Sequence, residues 1–389
     1  MFVRHAAKRV AGYRQASTFT SIPVIDATAL VQPNQRAAAK AAVAAQLHAA
    51  CRDVGFFYVK NHGIPAALQQ GILQQARAWF DLPEAVKNEI LIRPDKHFRG
   101  YQRLGANVTR YDGGYQRDWH EAIDLYREAD AAAVAAQGLP ASPIHGPNQW
   151  PVQRPAFDQL LRLYLNSMLG LGSSLMRGIA LGLGLEEHFF DGQRAAIQDS
   201  YWCARVIHYP PLTEGTFHRS SASENDASSS DPAGSSGTAA SAAAAKLHDA
   251  AAAALKGAEV DRAVQLSCGE HTDYGLLTLV NQEDHVTALQ VKNARGEWIP
   301  ATPIPGTFVC NIGDMLKVWS NGLYKPTAHR VINADPSLSR ISIPFFYEPA
   351  FEARVEPVAR LCSADRPPQF PPVRYGNHLE SKVLNNFEL

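Results

Sequence analysis

Cysteine is sparse in this chain. Five occur, at Cys51, Cys203, Cys268, Cys310 and Cys362. Their number is odd, their spacings are wide and no Cys-x-x-Cys occurs. That excludes a disulfide framework or a zinc ribbon and predicts a reduced intracellular protein, cytoplasmic by default. Net charge is missing too: Lys plus Arg and Asp plus Glu both total 37. The chain therefore lacks the basic excess of a nucleic-acid binder and the polybasic patch of a membrane-surface protein, so neither partner is expected. No apolar run is long enough to span a bilayer. Gly-x-Ser-x-Gly is absent, and Gly182 to Gly184 lacks a Walker lysine, so a hydrolase elbow and a phosphate loop are both excluded. Acidic residues are absent from Met1 to Ile25, which carries Arg4, Lys8, Arg9 and Arg14. Val3, Ala6, Ala7, Val10 and Tyr13 would share one face of a helix there. This composition suits an organellar transit segment as well as it suits a basic tail, so residues 1–21 are set apart on that ground.

Apolar residues, in contrast, make up 46% of the 389 residues, enough for a sizeable core. Ile22 to Asp26 reads as an opening strand and the Ala-rich stretch from Gln35 to Val54 as a helix ended by Gly55. Phe56 to Val59 reads as a strand, Asn61 to Pro65 as a turn, and Pro65 to Phe80 as a second helix. Leu82-Pro83-Glu84 opens a third. The apolar period from Phe157 to Leu185 predicts one or two buried helices bracing a sheet. Short strands follow at Tyr201–Tyr209, Leu276–Asn281, Leu289–Lys292, Phe308–Ile312, His329–Asn333 and Ile341–Tyr347. Helices first and short strands later predict an α+β protein with a mainly β, closed core.

One segment departs from this pattern. Residues 214–260 are mostly Ser, Ala, Gly, Asp and Thr, with Ser228-Ser229-Ser230 and Ala242-Ala243-Ala244-Ala245. Such a composition cannot bury enough apolar surface to offset its ordering entropy, which predicts a disordered insertion. The rest reads as one domain over 22–389: a mainly helical part to residue 200, the β core over 201–350, and a C-terminal segment over 351–389.

The chemistry gathers in the β part. His271-Thr272-Asp273 leads into a strand, and residues two apart on a strand share a face. An imidazole and a carboxylate can then reach one cation, and a distant histidine completes a facial triad suited to iron(II). One such pair among fourteen histidines is weak by itself. Further on, His329-Arg330-Val331-Ile332-Asn333 opens a strand, and Arg340-Ile341-Ser342 puts a guanidinium and a hydroxyl on one face, the makings of a carboxylate clamp.

Taken together, the chain resembles the 2-oxoglutarate/iron(II) dioxygenase superfamily, in its isopenicillin-N-synthase-like branch. The matching pieces run in family order: Ile22-Pro23-Val24-Ile25-Asp26, Gly55 to Pro65, Gly146-Pro147-Asn148-Gln149-Trp150-Pro151, Ile207-His208-Tyr209-Pro210-Pro211, His271-Thr272-Asp273, Pro305 to Asp314, and Arg340 to Phe346. The resemblance implies a double-stranded β-helix, or jelly roll, with helices packed outside. It implies His271, Asp273 and His329 as iron ligands, and Arg340, Ser342 and Tyr209 as the holders of the distal carboxylate of 2-oxoglutarate. It further implies oxygen as co-substrate, ascorbate as reductant, and a small organic metabolite that is hydroxylated or otherwise oxidised at C–H while succinate and carbon dioxide leave. The alternatives are an oxidase of the same branch that dispenses with 2-oxoglutarate and a non-catalytic jelly-roll binding protein. A monomer is expected.

Other residues are candidates for the substrate pocket. Arg205 shares the face of Tyr209 and would hold an anionic or polar group. Tyr274, Phe346 and Trp319 would make an aromatic wall, and Arg99 would stand at the mouth. His120-Glu121 has no second histidine at zinc-helix spacing and reads as structural. Asn311 and Asp314 read as fixing a turn between strands, and Tyr375 to His378 as part of a variable wall.

Overall fold

The structure, a computed structural model, describes residues 18–111, 114–136, 142–211, 267–332, 335 and 337–386. The segment 214–260 and nearly all of the basic N-terminal stretch lie outside the described residues.

Two sheets carry the fold. The larger has eight strands in the order Val24–Asp26, Phe56–Lys60, Phe308–Ile312, Leu277–Gln282, Arg340–Tyr347, Cys203–Tyr209, Glu121–Tyr126, Gly100–Gln102. The smaller has four, in the order Trp298–Pro300, Leu289–Lys292, His329–Val331, Cys268–His271. Apart from the parallel pair at the Val24–Asp26 edge, both sheets are antiparallel. They form the two walls of a jelly roll.

Alternation along the strands sorts their side chains between two cores. On Arg340–Tyr347, Ile341, Ile343, Phe345 and Tyr347 pack into a large core shared with the helices. On Cys203–Tyr209, Ile207 and Tyr209 face the other way, into a smaller core between the sheets with Phe56, Val291, Val309 and Val331. The helices Ala37–Asp53, Ala66–Phe80 and Pro155–Gly182 cover the outer face. The last is a single 28-residue helix that starts with proline in its first turn, where a missing N–H costs nothing. Its Gly172 lies against the Tyr347 ring, where a β-carbon would clash.

Three features were not legible in the sequence. Glu121–Tyr126 and Gly100–Gln102 extend the large sheet beyond Cys203–Tyr209. Asp314–Trp319 is a helix, not part of a turn. Tyr375–Asn386 is a helix as well. Glu121, with its strand, anchors a buried polar network. It accepts from Lys87 Nζ at 2.7 Å, Tyr101 OH at 2.5 Å and His208 Nδ1 at 2.8 Å. Burial alone would raise its carboxyl, but these donors outweigh it and hold the pKa down.

Candidate metal centre and substrate cavity

The metal site is made by strand register. On the small sheet His329 lies directly across from His271, which brings the two rings to 4.3 Å between centroids. Asp273 does not arrive by strand alternation. The strand Cys268–His271 ends at His271, and Asp273 sits in the turn that follows. That turn is held by the helix Asp314–Trp319: the Asp314 amide donates to the Asp273 carbonyl at 2.9 Å and the Met315 amide to the Gly275 carbonyl at 2.9 Å.

Every one of the three side chains has its outer atom occupied and its inner atom free. His271 Nδ1 donates to the Gly269 carbonyl at 2.8 Å, and His329 Nδ1 to the Thr327 carbonyl at 3.2 Å. A carbonyl only accepts, so in the neutral imidazole each ring carries its lone pair on Nε2. Asp273 Oδ2 accepts from the Thr278 hydroxyl and from Asn311 Nδ2, the latter at 2.7 Å. Its Oδ1 lies 3.6 Å from His271 Nε2 and 3.7 Å from His329 Nε2. The three candidate ligand atoms lie within 4.8 Å of one another. Burial alone would raise the Asp273 carboxyl, but His329, His271, Asn311 and Thr278 together hold it below its usual range. His329 is pushed down to about 4, first by burial and then by His271. A carboxylate and two imidazole nitrogens with open positions are the donor set for iron(II) that must also bind oxygen and a co-substrate. Asn311 and Thr278 thus orient the carboxylate. The Asn-x-Gly-Asp run hinted at Asn311, and nothing in the sequence pointed to Thr278.

The predicted clamp is equally buried. Arg340 stands opposite Tyr209 in the register, and its guanidinium lies 5.1 Å from the Tyr209 ring centre. Its Nη2 donates to Gln282 Oε1 at 2.9 Å, whereas Nε and Nη1 are buried without a partner. Two orphaned donors on a buried cation mark a place for an anion. Burial pushes the Tyr209 phenol up to about 12, with Arg340 partly offsetting it, so the hydroxyl stays a donor. Ser342 is buried on the same face.

A cavity of about 470 Å³ opens beside the triad. His271, Asp273, Arg205, Tyr274 and Phe346 line it, as the sequence predicted for the last three as substrate contacts. Arg205, however, already donates to Asp124 Oδ1 and Gln102 Oε1, both at 2.8 Å. Arg99 does not reach the cavity. It is fully buried and donates to the carbonyls of Tyr126, Arg127 and Ile144 and to Asn148 Oδ1, which makes it a structural strut and corrects its reading as a pocket residue. Trp319 is likewise core, stacked on Phe190 at 4.8 Å.

Sequence reasoning missed the acidic character of the cavity. Asp118, Asp124, Glu270, Asp314 and Glu348 line it, against Arg205 and Lys382 as cations. Most are engaged: Asp118 accepts from Asn107 Nδ2 at 2.5 Å, Asp124 from Arg205, and Glu270 from Lys292 at 3.0 Å. The Asp314 carboxyl is raised by burial, with the Lys317 and Lys382 charges opposing it, and Glu348 keeps a buried Oε2 that makes no hydrogen bond. Burial pushes the Glu348 carboxyl up to about 8; hydrogen bonding from the Tyr375 phenol and the Leu276 amide opposes it, and the Asp273 charge adds to it.

A jelly roll whose paired strands present two imidazoles, with a carboxylate from the adjoining turn, beside a cavity is the frame of a non-haem metal enzyme. Comparison with known proteins narrows the class. Residues 22–153 match the family described as non-haem dioxygenase in morphine synthesis N-terminal, and residues 255–349 match the 2OG-Fe(II) oxygenase superfamily. The homoarginine-6-hydroxylase 2-ODD-C23 of Glycine max is 41% identical over 378 residues, covering 96% of this chain and 99% of that protein. The homoarginine-6-hydroxylase 2-ODD-233 of Oryza sativa subsp. japonica is 40% identical over 380 residues, covering 95% and 99%. The crystal structure of the rice dioxygenase for auxin oxidation superposes with a TM-score of 0.61 over 94% of this chain and 96% of that one; at 24% identity it bears on the fold alone. The chain belongs to the 2-oxoglutarate/iron(II) dioxygenase family. It is a 2-oxoglutarate-dependent oxygenase that uses iron(II) and acts on a small molecule.

Proposed function

We propose that His271, Asp273 and His329 hold the iron, that Arg340, Ser342 and Tyr209 take the distal carboxylate of 2-oxoglutarate, and that the substrate is a basic amino acid of the homoarginine type, hydroxylated on its side chain. One combined observation carries the substrate reading: likeness at 41% identity to a homoarginine-6-hydroxylase over almost the whole chain goes with a cavity where, among the described residues, carboxylates outnumber cations.

Bound together, iron(II), 2-oxoglutarate and oxygen would supply the conversion of C–H to C–OH, one oxygen atom entering the product and the other the succinate that leaves with carbon dioxide. The protein's part is placement. Arg340 offsets the desolvation of a buried carboxylate and offers it two free donors. Tyr209, protonated, adds a third. Leu125, Tyr126 and Phe346 give the substrate's methylenes an apolar wall, and Lys382 offers a cation for its α-carboxylate.

Anaerobic addition of iron(II) and then 2-oxoglutarate to the apoprotein tests the site. A weak metal-to-ligand charge-transfer band is expected. It should be absent in His271→Ala and weakened in Arg340→Ala. Succinate release should then rise with homoarginine, arginine or lysine and stay at background with neutral amino acids. Failure to bind iron would overturn the ligand assignment, and turnover restricted to neutral compounds would overturn the substrate class.

A further inference from the structure

We infer that Glu348 is the specificity residue of this enzyme: its carboxylate receives the cationic head of the substrate, so the cavity selects a guanidinium or ammonium group over its uncharged isostere. The inference rests on the basic-amino-acid reading above and names the residue that enforces it.

Glu348 follows directly on the strand Arg340–Tyr347, and its amide donates to Ser200 Oγ at 3.3 Å. Its side chain turns into the cavity wall and is 3% exposed. Oε2 makes no hydrogen bond. The carboxylate rests against the α-carbon of Gly275, two residues beyond Asp273, where a β-carbon would overlap both of its oxygens. A side chain at position 275 would have to displace the end of Glu348, so the glycine lets the acid lie where it does.

A buried carboxyl oxygen without a hydrogen bond is costly to keep, because its hydration is lost and nothing replaces it, and burial favours the protonated acid until a cation arrives. The other acids of the cavity show what satisfaction looks like: Asp118 has Asn107, Asp124 has Arg205 and Glu270 has Lys292. The charge that bears on Glu348 is another anion, Asp273, while the Tyr375 phenol and the Leu276 amide are neutral donors that lower its pKa without offsetting burial. What fits is a positive donor group brought by the ligand. A planar guanidinium matches a carboxylate with two parallel charge-assisted bonds, and an ammonium matches it as a point charge. A head group held there lies beside the triad, so the C–H offered for oxidation is the one next to the cationic nitrogen.

The test is calorimetric titration of the full chain, loaded with iron(II) and 2-oxoglutarate without oxygen, using L-homoarginine and L-homocitrulline. The second replaces the guanidinium with a neutral ureido group of the same shape. Wild type should prefer homoarginine. Glu348→Gln should weaken homoarginine binding by roughly 10- to 100-fold, the range for losing hydrogen bonds to a charged group, and leave homocitrulline within about threefold. Glu348→Asp should fall between them. The charge-transfer band should be the same in all three proteins. Glu348→Gln should melt no lower than wild type, because it removes an unpaired acid rather than a structural bond. Equal homoarginine affinity in wild type and Glu348→Gln overturns the role of Glu348 while leaving the basic-substrate reading intact. A large loss of melting temperature marks a structural role and also overturns it. A wild-type protein that holds homocitrulline as tightly as homoarginine overturns the cationic substrate class and the inference with it.

Discussion

At the scale of single residues, the site works by using up every competing atom. Asp273 gives Oδ2 to Thr278 and Asn311, which leaves Oδ1 directed at the two imidazole nitrogens. Partners of this kind fix a ligand's orientation, and their loss typically costs about 10- to 100-fold in metal affinity. Asn311→Ala should accordingly weaken iron(II) binding by about that factor without abolishing it, as measured by competition with a chelator. Wild-type affinity in that variant would mean the carboxylate needs no such support. His271, Asp273, His329 and Arg340 were legible from spacing and resemblance because chemistry dictates their identity. Glu348 was not, because a lone glutamate after a barrel strand carries no signal until Gly275 is seen to lie against it.

Elements decide whether those residues meet. The pairing of His329 with His271 and of Arg340 with Tyr209 comes from strand register, and a one-residue slip would turn each onto the opposite face. The helix Asp314–Trp319 then pins the turn that carries Asp273. Arg99 belongs to this scale. It ties the end of Glu121–Tyr126 and the Ile144 loop together through three carbonyls and Asn148. Arg99→Met should strip the charged donor from these buried acceptors and cost about 1–3 kcal/mol of stability, the usual penalty when buried polar groups lose a hydrogen-bond partner. Chemical denaturation should show the loss while the KM for substrate stays near wild type. A raised KM at unchanged stability would return Arg99 to the pocket. The sequence hid this role because Gly100–Gln102 and Glu121–Tyr126 are short strands without a clear apolar alternation, so nothing marked the segment as part of the sheet.

For the whole molecule, cofactor binding and folding are linked. The triad joins strands distant in the chain, and Arg340 carries two unsatisfied buried donors until an anion arrives. Ligands that bind only the folded state stabilise it by RT ln(1 + [L]/Kd), about 2.7 kcal/mol at a hundredfold excess over Kd. Iron(II) plus 2-oxoglutarate should therefore raise the melting temperature by several degrees in wild type, and a chelator should reverse the iron-dependent part. Arg340→Ala should respond to iron but much less to 2-oxoglutarate. An equal response in both proteins would place the co-substrate elsewhere.

The sequence by itself determined the class of fold and pointed to the triad of His271, Asp273 and His329 and to Arg340, because helix and strand periods are local and a metal accepts few donor types. It also marked 214–260 as unfit to build a core, through composition alone. Tertiary structure alone decided that Asp273 reaches the site from a turn rather than a strand, that Arg99 is a strut, that Arg205 is already paired, and that the cavity is acidic. Each of these depends on which distant side chain lies opposite. That is set by sheet register and by the packing of helices on the outer wall, and neither leaves a local mark in the order of amino acids.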